Sequence, residues 1–263
     1  MKLVIFTIVK NGMPWITMHY PIFRQLTVPW EWHVIEGTAL AENCTSWCNT
    51  LRPGLSDDGT SEYLDSIAFD PRVIISRSES WHGKISMVNE ALRFLNESCV
   101  LLEADSDELW RVNQLQKIHE ILSAGRYNCM RFSCRYFLGL YIAILRRDSF
   151  GNRGGEWLRA WRYDPGMRFK THEPPVIDGM AENCMDYRAT EKAGLIFDHM
   201  AYATEAQMRF KIDYYGSDQN PLGKLYAPAM DGWRRLQVNN KWPAKVRDYL
   251  PFVNDDSVCE KIG

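Results

Sequence analysis

Several things are missing from this sequence, and each absence removes a class of protein. No apolar run approaches the roughly 20 residues that a bilayer-crossing helix needs, and the nearest, residues 137–145, is too short. No transmembrane segment is expected. The opening M-K-L-V-I-F-T-I-V-K-N-G has a short apolar stretch and no small-residue cleavage site, so it reads as a core strand and not as a signal peptide. The seven cysteines, Cys44, Cys48, Cys99, Cys129, Cys134, Cys184 and Cys259, are odd in number and form no C-x-x-C pair. A disulfide framework or zinc ribbon is therefore disfavoured, and free thiols in a reducing cytoplasm are the simplest account. Net charge is small, −2 from 31 basic and 33 acidic side chains, which argues against a broadly basic nucleic-acid binder without excluding a local basic groove. There is no glycine-rich phosphate loop near the first strand, where Asn11-Gly12 stands alone, and there is no internal repeat or low-complexity tract.

What is present is an ordinary globular composition, 46% apolar and 24% charged over 263 residues, enough for one large α/β domain or a domain with a tail. Residues 3–9 form a continuous β-branched and aromatic run, as in a strand covered on both faces, ending at Lys10-Asn11-Gly12. Pro14 suits the first turn of a helix reaching about Leu26, Pro29 marks its exit, and residues 30–35 make a second strand stopped by Glu36-Gly37. This is a β-α-β unit, so ligands are expected at the carboxyl ends of its strands. A polar loop over 39–59, a helix over 61–69 and a short strand over 73–76 follow. Ile85, Val88, Leu92 and Leu95 then have helical spacing, with Gly83 and Lys84 in the first turn.

The apolar run Val100-Leu101-Leu102 stops at Asp105-Ser106-Asp107-Glu108. Strand alternation would aim Asp105 and Asp107 to one side and Ser106 away, so that the two carboxylates share a hard cation such as Mg²⁺ or Mn²⁺. The plainer reading is a turn or helix cap, with Asp105 or Ser106 before a helix N-terminal Glu108. Farther on, the pattern gives a helix over 112–124, one or two strands over 129–145 and a loop over 148–155. A turn at Asp164-Pro165-Gly166 and a polar, lid-like loop over 178–191 follow. Residues 195–197 read as a last strand, with His199 just past it and Thr204 capping a helix to about Tyr215. Residues 216–263, with four prolines, should wrap the surface. The ten tryptophans suit either core filling or stacking platforms.

Taken together, these residues resemble the GT-A fold nucleotide-sugar glycosyltransferases, family 2 in particular. The resemblance lies in Ile8-Val9-Lys10-Asn11, Glu36, the G-K-x-x-x-x-N-x-A-L of Gly83, Lys84, Asn89, Ala91 and Leu92, and the D-x-D after the next strand. It covers roughly the first 110 residues. It implies a single α/β domain with a mostly parallel, Rossmann-like central sheet flanked by helices, and an irregular C-terminal extension. Residues 1–110 would bind the nucleotide-sugar, 111–215 the acceptor, and 216–263 would form the extension. It further implies transfer of a sugar from a nucleotide-sugar, a UDP-sugar foremost, to a hydroxyl acceptor on a glycan, lipid or protein. Thr7, Val9, Asn11, Glu36, Lys84, Asn89, Asp105 and Ser106 would contact the donor, with Glu36 on ribose or base and Lys84 on the diphosphate. Asp105, Asp107 and His199 would hold Mn²⁺ or Mg²⁺. Glu173, fixed by the two prolines after it, would be the base, with Asp178 and Glu156 as rivals, since the family's E-D pair is lacking. Trp157, Trp161, Arg162 and His172 would meet the acceptor.

Three other functions fit parts of the pattern. The acceptor could be a modified base in DNA, served by Arg146, Arg147, Arg153, Arg159, Arg162, Arg168 and Lys170, although such a run is more often a solvated face. D-x-D also serves nucleotidyltransferases and metal phosphohydrolases. A non-catalytic carbohydrate-binding module would leave Asp105 and Asp107 without a task.

Overall fold

The protein is described here by a computed structural model over residues 1–40, 49, 51–146, 157–172, 175–178, 180, 183–218, 220, 222–253 and 257–262. Glu173, its rival Glu156, Cys44, Cys48, Arg147, Arg153 and the 148–155 loop lie outside the described residues. In chain order the elements begin β1 (Lys2–Val9), α1 (His19–Phe23), β2 (Trp30–Ala39), α2 (Thr60–Ile67), β3 (Val73–Trp81), α3 (Lys84–Leu92) and β4 (Cys99–Glu103). Next come β5 (Glu108–Leu109), α4 (Val112–Ser123), β6 (Cys129–Arg131), β7 (Ser133–Gly139), β8 (Ile142–Arg146) and β9 (Leu158–Tyr163). They are followed by β10 (Arg168–His172), β11 (Pro175–Asp178), β12 (Cys184–Met185), α5 (Tyr187–Lys192), β13 (Ile196–His199) and α6 (Glu205–Tyr215). The chain ends in α7 (Gly223–Tyr226), α8 (Ala229–Val238), β14 (Ala244–Lys245) and β15 (Val258–Lys261).

The main sheet has the order β12-β6-β9-β4-β1-β2-β3. Strands β3, β2, β1 and β4 are parallel, β9 runs antiparallel to both β4 and β6, and β12 is parallel to β6. The α/β, mostly parallel sheet expected from the sequence is the one observed. The unbroken apolar run of β1 has a direct cause: Leu3, Ile5 and Val9 enter one core cluster, while Val4 and Phe6 enter another. Alternate side chains leave opposite faces of a strand, so a strand covered on both sides has no polar face to show. Each such buried side chain contributes on the order of 1.5–3 kcal/mol. A second sheet, β14-β15-β8-β7-β13-β5, stands beside the first.

Several expectations change, among them the one or two strands expected over 129–145, which are three: β6, β7 and β8. The helix expected over residues 14–26 is a 3-10 turn, Trp15–Met18, followed by the five-residue α1, because Pro21 has no amide hydrogen to extend a longer ladder. Strand β3 runs to Trp81 and not to Ser76, since β2 bulges at Gly37 and resumes pairing. Gly37 has φ 132°, and a Cβ there would lie 1.7 Å from the Ser78 carbonyl oxygen, so only glycine permits the bulge. The stretch 178–191 is not a plain loop: Cys184 and Met185 pair in parallel with β6, and Asp186 Oδ1 accepts the Ala189 amide at 2.8 Å to cap α5.

Within the C-terminal extension, α8 buries Ala229, Gly232, Trp233 and Leu236 on one stripe, and β15 pairs with β8. Asn89 ties the two sides of the sheet cover together. Its Nδ2 donates to the Phe169 carbonyl at 3.0 Å and its Oδ1 accepts the Phe169 amide at 2.9 Å, joining α3 to β10. The donor-binding role expected for Asn89 gives way to this clamp, which occupies both ends of the amide. Asn89→Ala leaves a buried backbone pair unsatisfied, and urea unfolding should show a loss of about 1–3 kcal/mol.

Candidate active site

The carboxyl ends of β1, β2 and β4 meet along one edge, and short-range contacts fix the turn between them. Thr7 Oγ1 donates to the Ala104 carbonyl at 2.7 Å while accepting Trp32 Nε1 at 3.0 Å, so it locks β1 to the chain leaving β4. His19 donates from Nε2 to the Ser106 carbonyl at 3.0 Å. The Glu108 amide donates to the Asp105 carbonyl at 2.9 Å and closes the turn. Gly12 lies so near that a Cβ there would sit 3.0 Å from Ser106 Cβ and 2.8 Å from Val9 Cγ2. Asp105-Ser106-Asp107 is therefore a turn and not a continuation of β4, and strand alternation ends at Glu103. The expected pairing of Asp105 with Asp107 on one side is corrected accordingly: the two carboxylates face different partners.

Asp107 faces two elements at once, β13 and α6. Glu108 and Leu109, expected to begin a helix, instead form β5, antiparallel to β13, and place His199 directly across from Glu108. The Met200 amide donates to the Asp107 carbonyl at 2.7 Å. His199 Nε2 stands 3.6 Å from Asp107 Oδ1, and Lys211 Nζ, from α6, stands 3.7 Å from Asp107 Oδ2. Burial disfavours the Asp107 charge, but Lys211 first and His199 second outweigh it and hold the carboxyl below the usual range. His199 packs edge-on against Trp157 at 4.8 Å and Tyr136 at 5.1 Å, and its Nδ1 has no hydrogen-bond partner among the described residues.

Beside this corner lies a buried charge cluster that the sequence did not reveal. Arg159, on β9 one residue beyond the Leu102–Ala160 pair, reaches Glu108 at 2.8 Å, Asp105 at 3.2 Å and Glu103 at 3.4 Å. Glu103 also takes His172 Nε2 at 2.6 Å. Glu103 and Glu108 are fully buried, so Glu108 is no helix N-terminal residue on the surface. Burial pushes the Glu108 carboxyl up to about 8, against the pull of Arg159, and it raises Asp105 as well. Three acids share one guanidinium, and burial favours the protonated forms of Glu108 and Asp105.

His19 behaves in the opposite sense. Burial lowers its pKa to about 4, although the Ser106 carbonyl and Asp107 oppose the drop. A depressed histidine contributes stability that is complete above its unfolded value and is lost as pH falls toward the folded one. Acidification from pH 6.5 to 4 should therefore remove about 3 kcal/mol through His19 alone. Chemical unfolding at stepped pH checks this, and His19→Gln, which keeps a donor for Ser106, should flatten the slope over that window.

Other expected site residues are placed as follows. Glu36 reaches the edge, but its carboxylate is wholly buried: Oε1 accepts the Ser56 amide at 3.2 Å and the Ser61 hydroxyl, and Oε2 binds Arg77 at 2.8 Å. A ribose or base contact for Glu36 is corrected on that ground. Asn11, with φ 59°, is at the edge and exchanges hydrogen bonds with Asp57 at 2.8 and 3.0 Å. Lys84 is the first residue of α3, just past the end of β3. Val9 is buried and Thr7 has its hydroxyl engaged, so both shape the edge from below. Trp157 is 6% exposed and sits beneath His199, which makes it a wall and not an open platform. Trp161 is fully buried and pairs with Leu101, and Arg162 pairs with Val100, toward the opposite end of the parallel strands. Neither fits the acceptor role expected for it. Arg146 and Arg159 of the basic run are buried, so the run does not make one solvated phosphate-binding face.

A divalent cation can be tested against these side chains. Two ligands bonded at about 2.0–2.1 Å to one octahedral ion are about 3 Å apart when adjacent. The 3.6 Å between Asp107 and His199 is within easy side-chain adjustment of that span. Asp105 is turned to Arg159, and no group of three or more ligating side chains occurs among the described residues. Mg²⁺ and Mn²⁺ commonly complete their shells with water and substrate phosphates, so the pair fits such an ion.

Fold and site together define an open, mostly parallel α/β protein with an acid, an imidazole and an ammonium converging at the carboxyl edge of its strands. No family model matches the chain, and no curated protein matches it. Solved structures of S. aureus TarS are similar at a distance. TarS 1-349 is 14% identical over 96% of this chain and 81% of that one, with a TM-score of 0.48. Its complex with UDP-GlcNAc is 14% identical over 96% and 79%, with a TM-score of 0.46. The UDP complex is 15% identical over 62% of this chain, with a TM-score of 0.44, and there the match spans 47% of the TarS chain. Among the described residues no helix is long and apolar enough to cross a membrane.

Proposed function

We propose that this chain is a glycosyltransferase that moves a sugar from a nucleoside-diphosphate donor, a UDP-sugar foremost, to a hydroxyl acceptor. One observation supports the reading above others: Asp107 is flanked by His199 and Lys211 at the edge between β1 and β4. Open parallel sheets bind their ligands at such an edge. Asp107 and His199 would hold Mn²⁺ or Mg²⁺, which when bound supplies Lewis-acid charge for the leaving diphosphate. Residues 1–110 form the donor half in this reading, residues 111–215 the acceptor half, and 216–263 the extension. Glu173 is the proposed base, directly after His172 in the chain, and His172 itself is oriented by Glu103. The free thiols of Cys99, Cys134 and Cys184 fit a cytoplasmic setting. The burial of Arg146 and Arg159 weighs against DNA as the acceptor.

Thermal shift with UDP, UDP-GlcNAc, GDP, CDP and ADP, each with and without Mn²⁺, tests the reading. At least one nucleotide should raise the melting temperature, and Mn²⁺ should increase that rise in the wild type but not in Asp107→Ala. A wild-type chain indifferent to all of them overturns the proposal.

A further inference from the structure

Lys211 belongs to none of the roles read from the sequence, yet it reaches the centre of the site. Helix α6 carries it there. Thr204 and Gln207 close a reciprocal capping box at 3.2 Å in each direction, which fixes where the helix starts. Met208, one turn in, is fully buried and anchors the inner face, and Lys211 follows three residues later on the same side. Its side chain is only 20% exposed, and its ammonium lies 5.7 Å from the centre of the Tyr215 ring. The stem is thus packed, and the charge is delivered to Asp107.

The contact with Asp107 is loose. At 3.7 Å it is longer than a direct hydrogen bond, and the His199 contact on the other oxygen is 3.6 Å. Other cations near this edge are closed on their partners: Lys10 on the Leu55 carbonyl at 2.5 Å, Arg77 on Glu36 at 2.8 Å, and Arg159 on Glu108 at 2.8 Å. Lys211 therefore retains donor capacity toward a second anion, and its position beside Asp107 puts that anion where a donor diphosphate would lie. A lysine suits this task as a compact charge with three rotatable donors.

We infer that Lys211 binds the donor's diphosphate directly, so that nucleoside-diphosphate binding at this site persists without a divalent cation. The inference rests on the glycosyltransferase reading and adds a residue and a metal-independent binding mode to it. The ammonium supplies one fixed positive charge. Asp107 and His199 would hold a divalent ion beside it, which would supply further charge to neutralise the phosphates.

Isothermal titration calorimetry with UDP, UMP and inorganic pyrophosphate, in EDTA and then in Mn²⁺, tests it on the full chain. Wild type should bind UDP and pyrophosphate in EDTA. Lys211→Met, which keeps the packed stem, should lose about tenfold to hundredfold in affinity for both, the usual scale for a hydrogen bond to a charged group. Lys211→Arg should recover most of the loss, and UMP should be affected less than UDP. The unliganded melting temperature of each variant reports folding separately, and Lys211→Arg keeps the test informative if the Met variant is unstable. Equal EDTA affinity in wild type and Lys211→Met overturns the inference, as does wild-type binding that appears only with Mn²⁺. Either result leaves the glycosyltransferase reading standing, because nucleotide still binds. Absence of binding under every condition overturns both.

Discussion

Asp107→Asn should lower sugar transfer by about 10²–10³-fold while leaving the fold in place. The magnitude is that of removing one preorganised group aimed at developing charge in a water-poor site. Asparagine preserves shape and one acceptor oxygen, so what changes is the charge that His199 and Lys211 both face at 3.6 and 3.7 Å. Removing it would weaken the hold on a divalent ion and leave the Lys211 ammonium without the carboxylate it faces, so Lys211 should shift and disturb the approach of the phosphates. Asp105→Asn makes the informative comparison. Its carboxylate faces Arg159 at 3.2 Å, so its loss should leave Mn²⁺-dependent nucleotide binding nearer to wild type. Steady-state kinetics with the best donor from the nucleotide screen, together with calorimetry for Mn²⁺ and nucleotide, separates the two. Equal losses for both variants, in binding as well as in rate, would show that the turn acts as a shared carboxylate pair after all.

The legible parts of this fold are those that depend on local pattern. The run of β1, the stop at Asn11-Gly12, the Thr204 cap and the acids after β4 are each set by neighbours a few residues away, and sequence spacing reports them. His199 at the same edge as Asp107 was also readable, since both follow strands that end in polar turns. What pattern could not report is the direction taken by side chains once regular structure ends. Asp105 and Asp107 diverge because the chain turns after Glu103, and Glu108 goes inward because β13 pairs with it. Arg159 was read as part of a basic run because composition cannot see that β9 sets it beside Glu103. Glu36 was legible as a strand-ending acid, but Arg77, 41 residues away, is what makes it structural. Helix α8 had a signal that could have been found: Ala229, Gly232, Trp233 and Leu236 have the i, i+3, i+4, i+7 spacing of a buried stripe. Tyr215 and Lys211 offered no such signal, since a lysine on an amphipathic helix ordinarily lies in solvent.

The buried cluster around Arg159 yields the largest expected effect on stability. Glu103 and Glu108 are fully buried and Asp105 is partly so, and Arg159 is the guanidinium that all three approach. Arg159→Met keeps much of the stem volume and removes the charge, leaving carboxyl groups in a low-dielectric site without their cation. Breaking a buried pair in this way costs about 3–5 kcal/mol, or roughly 6–20 °C in melting temperature for a chain of this size. The loss should depend on pH with a definite sign. A carboxyl whose folded pKa lies above its unfolded value contributes stability that is complete below the unfolded value and fades as pH rises through the folded one. Glu108 at about 8 already gives the wild type such a decline between pH 4.5 and 8, and removing Arg159 drives the acids higher and steepens it. Arg159→Met should therefore lie closer to wild type at pH 5.5 than at pH 8.5, and adding Glu108→Gln should restore part of the deficit at the higher pH. Urea unfolding of the two variants at both pH values measures the coupling. A single variant within about 1 kcal/mol of wild type at pH 8.5 would mean that the acids are neutral without help, and that Arg159 orients Asp105 without being needed to keep the cluster folded.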